Sequence, residues 1–180
     1  MTGEMFLLDT NIISNSSKPR PHPAMAEWLI AQERVAIPFA ALLEIETGIA
    51  QRAKDNLLAA NQLWQWLDGI YETEFEYPPA TPAVARVLGK MLCCRPLTHL
   101  WYPASQKRKP GQDLFIAATA VVFDLPIATA DGSDFELIDR HFPLPGVFNP
   151  AFGIWAVPRM VTSAQTTTLQ PQLHLSQAAF

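Results

Sequence analysis

The sequence predicts an α/β fold, specifically a three-layer α/β/α sandwich around a mainly parallel sheet. Two observations lead to this prediction. Short apolar runs of strand length alternate with longer segments whose apolar residues recur at helical spacing. The chain has 180 residues, 49% apolar and 17% charged, which is typical of one globular domain with a full core. Strands separated by helices pair in parallel, and the helices then cover both faces of the sheet.

The first half of the chain supplies the first strands and helices. The apolar run Met5–Leu8 ends at the sequence Asp-Thr-Asn, residue types that favour turns and helix caps, so Asp9 is expected at the C-terminal end of a strand. The remaining predicted elements are a helix beginning near Pro23, a strand at Val35–Pro38, helices at Phe39–Arg52 and Asp55–Ile70, and a third strand at Phe75–Tyr77.

The second half continues the alternation after one long interruption. Thr81 and Pro82 are a good cap and first position for a helix through Met91. Residues 93–112 are predicted to be a loop, because they are rich in proline and carry a dense basic run. The elements predicted after it are an apolar helix at Leu114–Phe123 opened by Asp113, a buried strand at Pro126–Thr129, and a turn at Asp131–Phe135 leading into a short helix.

The domain is predicted to span residues 1–157, with residues 158–180 forming a polar tail. From Val161 to Phe180 the chain has no Asp, Glu, Lys or Arg and is rich in Thr, Gln and Ser, a composition that does not support a packed core.

Charge and cysteine usage exclude several classes of protein. Thirteen basic residues against 17 acidic ones give a net charge of −4, so any contact with nucleic acid must be local. Cys93 and Cys94 are sequence neighbours, where normal disulfide geometry is hard to reach, so a bridged secreted framework is not expected. The apolar runs are too short for a bilayer span. We therefore expect a cytoplasmic protein with no membrane partner.

Four carboxylates are expected to converge at one edge of the sheet. Asp9 and Asp131 follow strands, Asp113 opens a helix, and Glu44 lies on a helix that follows a strand. Like charges placed together destabilise a fold unless a cation joins them. Acids without supporting His or Cys suit Mg²⁺ or Mn²⁺, and such a metal beside a phosphodiester activates water for hydrolysis.

Each acid also has a simpler structural explanation. Asp9 and Asp113 are equally explained as helix caps. Glu44 on a helix is more often a solvated acid, although Gly48 bares the same helix face four residues on. Asp131 and Asp134 have the positions of turn and cap residues.

Four segments, in order, carry a family resemblance: Leu-Leu-Asp9-Thr-Asn-Ile-Ile-Ser14, Glu44-Ile-Glu-Thr-Gly48-Ile, Asp113-Leu-Phe-Ile-Ala-Ala-Thr119-Ala and Ala-Thr129-Ala-Asp131-Gly-Ser-Asp134-Phe135. They resemble the motifs of PIN-domain proteins of the VapC type, over about residues 5–150. The resemblance implies a compact α/β/α domain and a Mg²⁺- or Mn²⁺-dependent endoribonuclease that is the toxin of a toxin–antitoxin pair.

The resemblance also implies roles for individual residues. It gives catalysis and metal binding to Asp9, Glu44, Asp113 and Asp131, with Asp134 as a substitute for, or an addition to, the fourth acid. For RNA contacts we predict Asn11 and the basic run Lys107, Arg108 and Lys109. Ala130 departs from the family pattern, which often has a basic residue there. The partners expected are an RNA substrate, a small antitoxin with a basic C-terminal segment, and a second copy of the chain.

Two other functions compete with this one. A haloacid-dehalogenase-like phosphatase would use Asp9 as nucleophile, but that pattern requires a second Asp where Asn11 stands, so the covalent mechanism loses its general acid. A catalytically silent PIN domain that binds RNA or protein is the second alternative. Converging acids that hold no metal would then be an electrostatic burden.

Overall fold

A computed structural model describes residues 4–102 and 111–159. Over these residues it has five β-strands, eight α-helices and one 3₁₀ helix. The strands are β1 (Phe6–Leu8), β2 (Val35–Ala36), β3 (Ile127–Ala128), β4 (Val147–Asn149) and β5 (Ile154–Val157). The α-helices are α1 (Thr10–Asn15), α2 (Pro23–Ile30), α3 (Phe39–Ala53), α4 (Leu57–Tyr71), α5 (Pro82–Leu92), α6 (Thr98–Trp101), α7 (Asp113–Phe123) and α8 (Ser133–Asp139).

The strands form one sheet in the order β2-β1-β3-β4-β5. β1 pairs in parallel with both β2 and β3, and β3 pairs in parallel with β4. The edge strand β5 is antiparallel to β4. The predicted mainly parallel sheet is confirmed, and its parallel strands place their carboxyl ends at one edge.

Successive strand residues alternate between two hydrophobic layers. Leu7, Ile127 and Val147 pack in one layer, with α5, α7 and α8. Phe6, Leu8 and Ala128 pack in the other layer, with α3 and α4. This alternation follows from the two-residue period of a strand and places helices on both faces. The predicted three-layer sandwich is therefore confirmed.

The structure corrects two predicted elements and adds two strands. Phe75–Tyr77 is not a strand, since Glu76 makes an isolated parallel bridge with Ala36 and Pro78 follows closely. The predicted loop at 93–112 contains the 3₁₀ helix Arg95–Leu97 followed by α6, because Leu97 and Leu100 are buried in the core. The strands β4 and β5 are not among the predicted elements, and the basic run at 107–109 lies outside the described residues.

Arg159 closes the described part of the domain. Its guanidinium pairs with Glu4 at 2.6 Å and Asp124 at 3.0 Å, and it donates a hydrogen bond to the Pro145 carbonyl at 3.1 Å. Arg159 itself is thereby attached to the start of the chain, and the rest of the predicted tail, residues 160–180, lies outside the described residues. Within residues 4–102 and 111–159, the structure contains no helix long and apolar enough to cross a membrane.

Candidate active site

Asp9 is the most firmly held carboxylate at the carboxyl edge of the sheet. It follows β1, caps the N-terminus of α1, and is only 6% exposed. Its Oδ1 accepts the Thr10 amide at 2.6 Å, and its Oδ2 accepts Asn11 Nδ2 at 2.6 Å and Thr129 Oγ1 at 2.7 Å. Three donors therefore fix its orientation. The structure makes Asp9 a helix cap, and the same geometry presents it to a cavity.

The fully buried Thr129 is the central contact behind Asp9. It directly follows β3, and its amide donates to the Phe148 carbonyl of β4 at 2.9 Å. The Asp9 amide donates to the Ala128 carbonyl at 2.9 Å, which places Thr129 beside the end of β1. While its hydroxyl donates to Asp9, the same oxygen accepts the Asp131 amide at 3.1 Å and Asn11 Nδ2 at 3.0 Å. The sequence motifs include Thr129 but assign it no role. Its position as a polar residue ending an apolar strand was the available signal.

Glu44 faces Asp9 from the first half of α3. Its Oε2 accepts the Thr10 hydroxyl at 2.8 Å, so the residue after Asp9 positions the second carboxylate. Gly48, one turn further along α3, has nothing within 4 Å of where a Cβ would lie. The bared helix face expected from the sequence is therefore open space beside Glu44.

Asp113 is the first residue of α7 and completes one side of a polar cavity. The cavity is about 310 Å³ and is open to solvent. It is lined by Asp9, Thr10, Asn11, Ser14, Glu44 and Asp113. The structure thus brings three of the predicted site acids together, from β1, α3 and α7.

Burial and mutual repulsion change the ionisation of two of these acids. Burial raises the pKa of Asp9 to about 6, opposed by its hydrogen bonds with Thr129 and Thr10 and aided by the charges of Glu44 and Asp131. Burial raises the pKa of Asp113 to about 7, and the nearby charge of Asp9 adds to the effect. The cavity therefore resists full ionisation near neutral pH without a cation.

Asp131 and Asp134 stand apart from this cavity. Asp131 is exposed, and its Oδ1 accepts both the amide and the hydroxyl of Ser133, at 3.2 and 2.8 Å. These hydrogen bonds lower the pKa of Asp131. Asp134 is exposed in the first turn of α8. Both charges act on Asp113 electrostatically, raising its pKa, and neither side chain lines the cavity.

The carboxylate oxygens that line the cavity are the type of ligand that a hard divalent cation prefers. Among the described residues, no group of three or more His, Cys, Asp or Glu is arranged closely enough to hold a metal ion. Mg²⁺ typically keeps several water ligands and binds through one or two carboxylates together with substrate phosphate. Asp9 and Asp113 meet that smaller requirement, because the buried Asp9 and the partly buried Asp113 place two carboxylates on one solvent-open cavity.

The residues predicted to contact RNA have different outcomes. Asn11 lines the cavity, but its amide group is engaged within the protein, since Nδ2 donates to Asp9 and Oδ1 accepts the Ala130 amide at 2.9 Å. Lys107, Arg108 and Lys109 lie outside the described residues. Contact between this basic run and RNA stays a prediction.

Comparisons with known proteins agree with the fold. The family model described as PIN domain matches residues 6–140. A comparison with curated proteins gave no match. In the solved structure of FitAB bound to an IR36 DNA fragment, one chain is 26% identical, with a TM-score of 0.56 over 82% of this chain and 96% of that chain.

Two further solved structures share the architecture. FitAcB from Neisseria gonorrhoeae is 24% identical, with a TM-score of 0.55 over 81% of this chain and 98% of that chain. VapBC-5 from Mycobacterium tuberculosis, a member of the VapBC family of toxin–antitoxin systems, is 22% identical, with a TM-score of 0.52 over 82% of this chain and 98% of that chain. These likenesses establish a shared fold.

Proposed function

Because the chain belongs to the PIN-domain family, we propose that it is a metal-dependent endoribonuclease and the toxin of a toxin–antitoxin pair. The observation that carries this proposal is the buried Asp9 carboxylate, fixed by three hydrogen-bond donors beside Glu44 and Asp113. Holding ionisable acids together costs stability, and a bound divalent cation offsets that cost. The toxin role is supported by the similarity in fold to VapBC-5.

In this proposal the acids divide the work by position. Asp9 and Asp113 would hold Mg²⁺ or Mn²⁺, which supplies an activated water and stabilises the leaving oxygen. Glu44, held by Thr10, orients water at the same cavity. Asn11 and Thr129 keep Asp9 in one rotamer. Asp131, with Asp134 as its alternative, is proposed as the fourth acid, acting from the exposed rim.

The proposed regulator is a small antitoxin with a basic C-terminal segment. An Arg from this segment would pair with the carboxylates of Asp9 and Asp113, because guanidinium stays charged and binds carboxylate bidentately. The segment is expected to lie across α3 and α4, where Trp66 lines an open cavity with Glu44. The indole N–H of Trp64 is already used within the protein, since Nε1 donates a hydrogen bond to Glu46 at 3.1 Å. A homodimer and a cytoplasmic location complete the proposal.

The nuclease proposal is tested with Asp9→Asn and Asp113→Asn on a pool of random-sequence single-stranded RNA. Each variant should lower Mg²⁺-dependent cleavage by more than about a hundredfold. Losing a residue that only orients a metal ligand typically costs about 10–100-fold, so a larger loss indicates a ligand itself. Asp55→Asn, at an exposed acid, is the matched control and should cut normally. EDTA should abolish wild-type cleavage. Full activity in either site variant, or cleavage that survives EDTA, would contradict the assignment.

The two alternative functions make different products. A phosphatase needs a general acid near the nucleophile, but the residue two positions after Asp9 is Asn11, whose amide already bonds Asp9. A silent binding domain would bind RNA or protein without shortening RNA. Release of phosphate from monoesters would indicate the phosphatase, and cleavage of RNA would indicate the nuclease. Neither reaction would be seen with the silent binding domain.

A further inference from the structure

The acidic cavity is one end of a longer groove. A second cavity, of about 260 Å³, shares Thr10, Ser14 and Glu44 with it. A third cavity, of about 420 Å³, shares Ser17, Leu63 and Trp66 with the second. The three therefore adjoin one another along α1, α3 and α4, and we call them together the groove. It is open to solvent along its length.

The far end of this groove has the opposite charge from the catalytic end. The third cavity is lined by Ser16, Ser17, Lys18, Pro19, Arg52, Ala59, Gln62, Leu63 and Trp66. Lys18 follows α1 and Arg52 lies in the last turn of α3, so two segments distant in sequence bring two cations to one cavity. We call it the basic cavity.

The cations of the basic cavity are available to a ligand. Among the described residues, the ion pairs are made by Arg34 and Arg159, and no carboxylate lies within 4.0 Å of Lys18 or Arg52. Ser16 and Ser17 add hydroxyl groups. Trp66 is held in the wall of the cavity by a 3.2 Å hydrogen bond from its Nε1 to Ser16 Oγ. Cations, hydroxyls and an aromatic ring are the groups that single-stranded nucleic acids bind.

We propose that the basic cavity is a phosphate subsite, in which Lys18 and Arg52 bind a backbone phosphate of the substrate RNA away from the cleaved bond. This inference rests on the proposed nuclease function and specifies a single-stranded substrate lying along the groove. Trp66 offers its ring to a base between the two ends. The subsite supplies, within the described chain, the positive charge that the acidic cavity lacks.

Charge complementarity favours RNA over a basic polypeptide as occupant of the basic cavity. A polyanion gains attraction from Lys18 and Arg52, whereas the basic antitoxin segment proposed for the acidic end of the groove is repelled by them and is expected to stop short of the basic cavity. At the acidic end the preference is reversed, and a basic polypeptide is favoured over RNA, because Glu44, Asp9 and Asp113 repel phosphate when no cation is bound. An RNA strand thus meets a metal-dependent end and a metal-independent end. Binding at the basic cavity should persist in EDTA.

The test is RNA binding in EDTA by the full chain, measured by fluorescence anisotropy with a labelled single-stranded oligonucleotide of about 12 nucleotides. Lys18→Gln with Arg52→Gln should weaken binding about tenfold at about 50 mM salt and flatten the slope of log K against log salt by roughly 0.7 for each phosphate that the protein no longer neutralises. The control is Arg86→Gln with Lys90→Gln, the same loss of charge at exposed positions of α5, in the opposite layer. Thermal melts verify that both double variants fold.

The outcomes separate this inference from the nuclease proposal. If the Lys18→Gln, Arg52→Gln variant binds RNA as tightly as the control double variant or as wild type, the basic cavity is not a phosphate subsite. This conclusion holds even if cleavage still depends on Asp113. If wild type binds RNA through Lys18 and Arg52 and never cuts it with Mg²⁺ or Mn²⁺, the subsite stands and the nuclease proposal fails. If wild type binds no single-stranded RNA, or the cavity takes only a basic partner protein, the inference is overturned.

Discussion

Replacing Asp113 with asparagine should stabilise the metal-free protein, and should do so increasingly as the pH rises. Burial and the charges of neighbouring acids raise the pKa of Asp113 from 3.8 to about 7 in the folded state. Below the lower value the side chain is neutral in both the folded and the unfolded chain. Between the two values the unfolded chain ionises more readily, so the folded state loses stability as the pH rises, and the loss is complete above about pH 7.

The size of the effect follows from the same two pKa values. A rise from 3.8 to about 7 corresponds to about 4 kcal/mol, at about 1.4 kcal/mol for each tenfold change. Solvent at the open side of the cavity screens part of this, and asparagine forgoes the attraction of a carboxylate to the N-terminus of α7. We therefore expect a net gain of about 2 kcal/mol near pH 8, which raises Tm by roughly 4–8 °C in a domain of this size.

The assay is thermal unfolding in EDTA at about pH 4, 6 and 8 for wild type, Asp113→Asn and the exposed-acid control Asp55→Asn. The Tm of Asp113→Asn should be close to that of wild type at the lowest pH and exceed it by a growing margin as the pH rises. The Tm of the control should match that of wild type at each pH. Adding Mg²⁺ should then raise the Tm of wild type and leave that of Asp113→Asn unchanged, since a ligand stabilises only a state it binds. A Tm gain that is absent, or is the same at every pH, would refute the electrostatic argument.

Two further substitutions test the surroundings of the site. Thr129→Val keeps the side-chain volume and removes the hydroxyl that holds Asp9, so it should lower the rate of RNA cleavage by about 10–100-fold. Thr129→Ser keeps the hydroxyl and should retain most activity. Equal cleavage rates for the two variants would exclude a positioning role for Thr129. Gly48→Ala should raise the free energy of unfolding by roughly 0.5–1 kcal/mol, because glycine inside α3 costs backbone entropy and an added Cβ meets no atom within 4 Å; a lower Tm in thermal melts would contradict this.

Local patterns in the sequence were enough for most of the fold. The apolar run before Asp9 and the one before Thr129 predicted strands of one parallel sheet, because they alternate with helices, and the structure pairs the two strands directly. The strands β4 and β5 escaped prediction, since both are short and are stabilised by pairing with strands elsewhere in the sheet, β4 with β3 in parallel and β5 with β4 in antiparallel. Phe75–Tyr77 has strand-like composition, but it makes only one bridge.

The sequence by itself determined which acids lie near the carboxyl edge of the sheet, because strand ends and helix starts are local signals. Only the tertiary structure decided how they differ. It buried Asp9 against Thr129, opened Asp113 to one cavity with Glu44, and turned Asp131 toward Ser133. It also joined the acidic cavity to the basic cavity, whose two cations are far apart in the chain. The physical reason is that hydrogen-bond partners, burial and the balance of charge are set by side chains from different elements, and no local pattern encodes those distances.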